Sequence, residues 1–167
     1  MGGPYGSPHT PPTRFPRRAG APVPYSTRVT SLSLAGVVTS GLGQGAYFMS
    51  LPWVRDGVRR LIGFTPYPGT LNVRLDAEMI GVWRRARDAH SIVLAPPPSE
   101  PCGARLVPVV VAPDAEAAVI VPDVTRYGED LLELIAAVHL RSVLCLRNED
   151  TVSLQIRSPG TSKPSAL

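Results

Sequence analysis

Gly63-Phe-Thr-Pro-Tyr-Pro-Gly-Thr-Leu-Asn-Val-Arg-Leu75 is the stretch in which the chain turns and then enters a strand. Its first half, Phe64 to Gly69, holds two prolines and a glycine, residues that fix or free φ as turns require. Its second half, Thr70 to Leu75, alternates polar and apolar side chains, the period of two that sends neighbours to opposite faces of a half-buried strand. Leu71, Val73 and Leu75 are therefore expected to face a core. The oxygens of Thr70 and Asn72, two residues apart, should share the other side.

Upstream of this stretch, Pro52 to Ile62 carries Val54, Val58, Leu61 and Ile62 at helical spacing behind a proline suited to a first turn, with Gly63 as its stop. Downstream, Asp76 can cap a helix over residues 77–88 that places Met79, Ile80, Trp83 and Ala86 on one face. Leu32 to Val38 reads as a strand running into Ser40-Gly-Leu-Gly-Gln-Gly45, and Tyr47 to Leu51 as a second short strand. A strand follows His90 and a loop spans Pro96 to Pro101. Leu106 to Ala112 and Ala117 to Val121 are strands flanking a Pro113-Asp114 turn. Residues 131–146 form an apolar run that fits helix or strand equally, and Val152, Leu154 and Ile156 alternate in a final strand. Five to seven short strands with one to three helices predict a mainly β fold: a small β-barrel with helical insertions rather than a parallel sheet with regular βαβ alternation.

Composition sets the outer limits. The 167 residues suit one domain. With 19 prolines and 15 glycines, about a fifth of the chain, the composition argues against a helix bundle. Apolar runs such as Val109 to Ala112 fall far short of the roughly 18 residues of a membrane span. The net charge of +4 comes from the leader: residues 1–30 hold Arg14, Arg17, Arg18 and Arg28 and no acid, while the remainder carries 13 basic and 13 acidic groups. A nucleic-acid domain would place its basic excess on the folded part, so no nucleic-acid partner is expected. Residues 1–30 are too rich in Pro, Gly and Arg to bury a core and are expected to be disordered; the domain should span 31–157, and 158–167 a flexible tail. Cys102 and Cys145 have no metal-type spacing and read as buried thiols. No signal-peptide h-region is present, so a cytoplasmic location is expected.

Three segments could carry chemistry. Gly41, Gly43 and Gly45 can present consecutive N–H groups to an anion, or can simply form a glycine-rich turn. No P-loop is present, and the single lysine, Lys163, lies in the tail. Thr70 and Asn72 either offer two hard oxygens suited to magnesium or satisfy the preceding turn's backbone. Glu133, alone in Leu131-Leu-Glu-Leu-Ile135, is either an exposed strand position or an inward carboxylate with a task.

Taken together, Gly36-Val-Val-Thr-Ser-Gly-Leu-Gly-Gln-Gly-Ala-Tyr-Phe-Met49, Gly63 to Leu75, Ile120-Val-Pro-Asp-Val-Thr-Arg-Tyr127 with Leu132-Glu-Leu134, and Leu140-Arg141 before an acidic turn resemble the archaeal-type CTP-dependent riboflavin kinase family. The resemblance covers residues 34–156 in the family's order. It implies a six-stranded cradle-loop barrel that transfers the γ-phosphoryl of CTP to the 5'-hydroxyl of riboflavin, giving FMN and CDP. By the same resemblance Gly41, Leu42, Gly43, Gln44, Gly45 and Ala46 would wrap the phosphates and ribose of CTP, and Val138, His139, Leu140 and Arg141 would line the base pocket. Thr70 and Asn72 would hold Mg²⁺, and Thr125 and Glu133 would contact the flavin, with Glu133 as the catalytic base. Small-molecule partners, a monomer and no membrane association are expected. The alternatives are an ATP-using kinase, a non-catalytic flavin- or nucleotide-binding module, and nucleic-acid binding through the leader. Two stretches depart from the family pattern: residues 96–105, with only Cys102, Ala104 and Arg105, and Asn148-Glu-Asp150, which replaces the common Asp-Gly-Asp turn.

Overall fold

The computed structural model describes residues 32–41, 43, 45–125 and 127–158; the expected leader, most of the expected tail, Leu42 and Gln44 lie outside the described residues. Strand β1 (Ser33–Thr39) is followed by helix α1 (Gly45–Ser50) and helix α2 (Pro52–Ile62). Pro52 occupies the first turn of α2, where its missing N–H costs nothing, and Gly63 ends the helix in the left-handed region at φ 97°. Val54 and Val58 face inward, while Arg59 and Arg60 sit in the last turn, where the helix dipole favours cations.

Strand β2 (Leu71–Leu75) enters helix α3 (Ala77–His90), and strand β3 (Ile92–Leu94) leads to the hairpin of β4 (Ala104–Val111) and β5 (Ala115–Pro122). Strand β6 (Leu131–Ala136), the short helix α4 (Leu140–Val143) and strand β7 (Thr151–Ile156) complete the chain. Every ladder is antiparallel. β1, β2, β6, β5, β4 and β7 pair in that order, and β7 pairs with β1 in turn, closing a six-stranded barrel; β3 attaches to β4 outside the ring. One edge of β4 is thus divided: residues 104–106 face β3 and residues 109–111 face β7. Pro108 sits at the handover, where a missing N–H breaks no ladder bond, and its carbonyl accepts from Arg157 N at 2.9 Å.

Alternation along the strands builds two cores. Val107, Val109, Val119, Leu132, Leu134, Leu71 and Val73 point into the barrel, and α3 adds Trp83 and Ala86 to them. The opposite faces of β4, β5 and β6 contribute Leu106, Ala118, Ile120 and Ile135 to a second cluster beneath Met49, Val54 and Val58 of α1 and α2. The helices therefore cover the outer wall of the barrel. That covered wall is where the polar side chains Asn72 and Glu133 lie.

Several expectations change. Tyr47 to Leu51 is not a strand: residues 45–50 form α1, where backbone bonds close within the segment and Ser50 Oγ donates to the Tyr47 carbonyl at 2.6 Å. A short apolar run carries no periodicity able to separate the two states. With α1 and α4 there are four helices among the described residues, one more than expected. Asp76 occupies the N-cap position of α3 without a side-chain cap bond, and the helix continues to His90. The ambiguous run 131–146 divides into β6 and α4. Cys145 is exposed and Cys102 half-buried, both free, so neither is a buried thiol: each falls in a connecting segment where no second layer covers it.

Candidate active site

Asn72 is the hub of the outer wall. The register places it between Thr39 of β1 and Glu133 of β6, and Glu133 opposite Ile120 of β5, so Thr39, Asn72, Glu133 and Ile120 form one cross-strand row. Asn72 is only 3% exposed, the one buried polar side chain among the described residues. Burying an amide costs free energy unless it is hydrogen-bonded; Asn72 Oδ1 accepts from Thr70 Oγ at 3.2 Å.

The cover over Asn72 is the glycine loop. A β-carbon on Gly41 would overlap Asn72 Nδ2 and lie 2.8 Å from its Cγ; one on Gly45 would lie 2.5 Å from Thr70 Oγ1 and 2.7 Å from its Cγ2. Glycine is needed at both positions because the backbone passes against these two side chains. Sequence alone leaves the loop open between an anion cradle and a plain turn. The structure sets Gly41 against the Asn72 carboxamide and Gly45 against the Thr70 side chain.

Two cavities meet there. A polar cleft of about 660 Å³ is lined by Gly41, Gly43 and Gly45, by Thr70, Asn72 and Glu133, and by Arg141, Arg147 and Asn148. An apolar pocket of about 590 Å³ runs between Tyr47, Phe48 and Met49 of α1 and Ile120, Pro122, Val124 and Thr125. Gly43, Gly45, Thr70, Tyr127 and Glu133 line both. Burial raises the carboxyl of Glu133 above the ordinary glutamate value, because desolvation disfavours its charged form. Glu133 is neither fully exposed nor inside the barrel: it is half-buried on the outer wall and lines both cavities.

Val138, His139, Leu140 and Arg141 line a narrow recess beside the cleft together with Tyr67, Gly69 and Leu134. The rings of Tyr67 and His139 stand 5.0 Å apart, tilted by 35°. Thr125 lies on the segment between β5 and β6. That segment is steadied by Asp123, whose carboxylate accepts from Gly103 N at 2.9 Å, and by Glu129, which pairs with Arg84 and Arg87 of α3. The Arg84 hydrogen bond holds the Glu129 carboxyl below its usual range. Phe48, Met49, Arg147, Asn148 and Tyr67 also line these cavities and are missing from the sequence-derived site. Reading residues 47–51 as a strand conceals the first two, and the departure at Asn148 was the signal available for the turn.

No group of three or more His, Cys, Asp or Glu side chains able to hold a metal occurs among the described residues. Thr70 Oγ1 and Asn72 Oδ1, 3.2 Å apart, nevertheless fit two adjacent corners of a magnesium shell, which at ligand distances of about 2.0–2.1 Å lie about 2.9 Å apart. Both oxygens are neutral, so a cation here depends on anionic ligands from a bound molecule.

Comparison with known proteins identifies the family. The family model for CTP-dependent riboflavin kinases, described as a domain of unknown function (DUF120), matches residues 38–156. The chain is 40% identical over 133 residues to a riboflavin kinase of Pyrobaculum islandicum, covering 77% of this chain and 62% of that protein. It is 39% identical over 127 residues to one from Methanoculleus marisnigri, covering 74% and 57%, and 36% identical over 140 residues to one from Methanosarcina barkeri, covering 82% and 62%. The chain thus spans about three fifths of the length of the curated relatives it matches. A family match across most of the barrel, from β1 to the end of β7, places this chain in the CTP-dependent riboflavin kinase family.

Proposed function

We propose that this protein is a riboflavin kinase that moves the γ-phosphoryl group of CTP to the 5'-hydroxyl of riboflavin, giving FMN and CDP. The observation that carries the reading is the junction of the two cavities at Gly43, Gly45, Thr70 and Glu133. A polar cleft beneath main-chain amides suits a triphosphate, and a pocket walled by Phe48, Met49 and Ile120 suits a planar apolar ring system. Their shared wall is where donor phosphate and acceptor hydroxyl would meet.

Phosphoryl transfer asks the protein chiefly to position its reactants and neutralise charge. In this reading the loop over residues 41–46 cradles the phosphates, and Arg141 supplies positive charge in a cleft without lysine. Thr70 and Asn72 would hold Mg²⁺, which when bound offsets the charge of the phosphates. Thr125 and Glu133 face the flavin. Glu133, its proton affinity raised by burial, accepts the proton of the ribityl hydroxyl. The recess at Val138 to Arg141, beside the Tyr67 and His139 rings, would take the nucleotide base, and the name of the matching family supports CTP as donor. Riboflavin and CTP would be the partners of a cytoplasmic monomer. Among the described residues no helix is long and apolar enough to cross a membrane.

The test is incubation of the protein with riboflavin, Mg²⁺ and each nucleoside triphosphate in turn, with flavins resolved by chromatography. FMN should form fastest with CTP. An ATP preference would overturn the donor assignment, and no FMN with any triphosphate would overturn the activity.

A further inference from the structure

Arg141 and Arg147 are the cations lining the polar cleft, and Arg141 is the more firmly held. Its Nη2 donates to the carbonyl oxygen of Thr39 at 2.8 Å and to Asn148 Oδ1 at 3.0 Å. Both acceptors are neutral, and Arg141 forms no ion pair among the described residues. A guanidinium has five N–H donors in a rigid fork. Two bonds to one nitrogen orient that fork and leave its charge unneutralised.

Asn148 uses both ends of its amide. Oδ1 accepts from Arg141, while Nδ2 donates to Ser40 Oγ at 2.9 Å. The turn that carries it is fastened to β1: Glu149 N donates to the Val38 carbonyl at 2.9 Å and Val38 N to the Asp150 carbonyl at 2.8 Å. Arg147 N also donates to the Asp150 carboxylate at 2.6 Å. Glu149 adopts φ 71° within the same turn, a left-handed backbone that a non-glycine residue keeps only when its surroundings hold it there. The carboxamide is therefore presented to Arg141 by a built support.

We infer that Asn148 is a positioning residue, holding Arg141 over the cleft as an uncompensated cation for the phosphate groups of a bound polyphosphate. The inference rests on the reading of this cleft as the phosphate site. Its signature is an unusual ranking of substitutions. A carboxylate at this position keeps an acceptor for Arg141 but forms an ion pair that neutralises the charge; alanine removes the support but leaves the charge. Asn148→Asp, the closer mimic in shape, should therefore be the more damaging change. A purely structural role for Asn148 gives the reverse order, because alanine loses both hydrogen bonds.

The experiment titrates inorganic tripolyphosphate into the full chain by calorimetry at low salt, for wild type, Asn148→Asp, Asn148→Ala and Arg141→Gln, with melting curves for each. Wild type should bind; Asn148→Asp and Arg141→Gln should each weaken the Kd by about tenfold or more, and Asn148→Ala by about threefold, as expected for losing a charged donor to phosphate rather than its support. In the kinase assay the KM for nucleotide should rise in the same order while the KM for riboflavin stays put. Tripolyphosphate binding by Asn148→Asp as tight as by Asn148→Ala, or none by wild type, overturns the inference. If Asn148→Asp does not fold, Asn148→Ala is repeated on Arg141→Gln: it should weaken binding no further, and an undiminished threefold loss overturns the inference. FMN formation by wild type scores the kinase reading separately: binding in the expected order without FMN would reject the kinase and leave the role of Asn148 standing.

Discussion

Gly41 and Asn72 are packed so closely that no β-carbon fits between them: one built on Gly41 would overlap the Asn72 carboxamide nitrogen and sit 2.8 Å from Cγ. The contact explains how a polar side chain comes to be almost fully buried in the barrel wall, and why the loop above it is glycine. Gly41→Ala should displace Asn72 and lower kcat/KM by about tenfold or more, since small misplacements in a phosphoryl-transfer site are costly. The check is a double-mutant cycle. With Asn72→Ala already in place, Gly41→Ala should add little, because the side chain it pushes is gone. Fully additive losses would show that Gly41 acts by another route.

Thr70 and Asn72 should control the metal dependence. Replacing either by alanine removes one of two neutral oxygens 3.2 Å apart, so the Mg²⁺ concentration for half-maximal rate should rise by about tenfold or more, with saturated rates falling by orders of magnitude in the double variant. Riboflavin affinity, followed by fluorescence quenching, should barely change in Asn72→Ala, as the apolar pocket proposed for the flavin is lined by Phe48, Met49, Ile120 and Thr125 among others and not by Asn72. A loss of flavin binding equal to the loss of rate would contradict this division.

Glu133 makes a prediction in which stability and activity move apart. Burial raises its proton affinity in the folded state. The stability it contributes is therefore fully present below the unfolded pKa and lost as pH rises through the folded value. Glu133→Gln should melt at least as high as wild type near neutral pH, with the difference shrinking as pH falls into the carboxylate range. FMN formation should drop by about 10²–10⁴-fold. The wild-type rate should also show an acid limb set above the ordinary glutamate value, absent from the variant. A variant that keeps near-wild-type turnover would remove Glu133 from the role of base.

Leu134 tests the barrel apart from the apolar pocket. It is 1% exposed, lies inside the barrel and is flanked in register by Leu71 of β2 and Val119 of β5. Leu134→Ala should cost about 2–5 kcal/mol in denaturant unfolding. The KM for riboflavin should stay unchanged, since this face of β6 points away from Glu133, whereas the KM for nucleotide should rise because Leu134 also lines the recess at Val138 to Arg141. A loss well under 1 kcal/mol would mean that the interior is less tightly packed than the burial indicates.

Local pattern was enough for most of the strands. Leu71, Val73 and Leu75 alternate because β2 has one face in the barrel, and that alternation is written in consecutive residues. Pro52 and Gly63 bound α2 through their own backbone preferences, which need no partner. Residues 45–50 carry no such signal, so the choice of helix over strand fell to packing against α2. Closure of the barrel by β4 on β7 joins residues about 45 apart, a pairing that no local period encodes.

The site divides in the same way. The residues matching the family motifs could be named from the chain, yet composition and spacing only set Thr70 and Asn72 on the side away from Leu71 and Val73 and left Glu133 open between exposed and inward. Tertiary structure decided what lies over that side by bringing Gly41, Gly45 and α1 to the outer wall. It also gathered Ser40, Arg141 and Asn148, which lie up to 108 positions apart, into one hydrogen-bonded group. Periodicity decides which side of a strand a residue takes, because that depends on its immediate neighbours. What waits on that side depends on which distant segment buries its own apolar surface there, and this is settled only when the whole chain has packed.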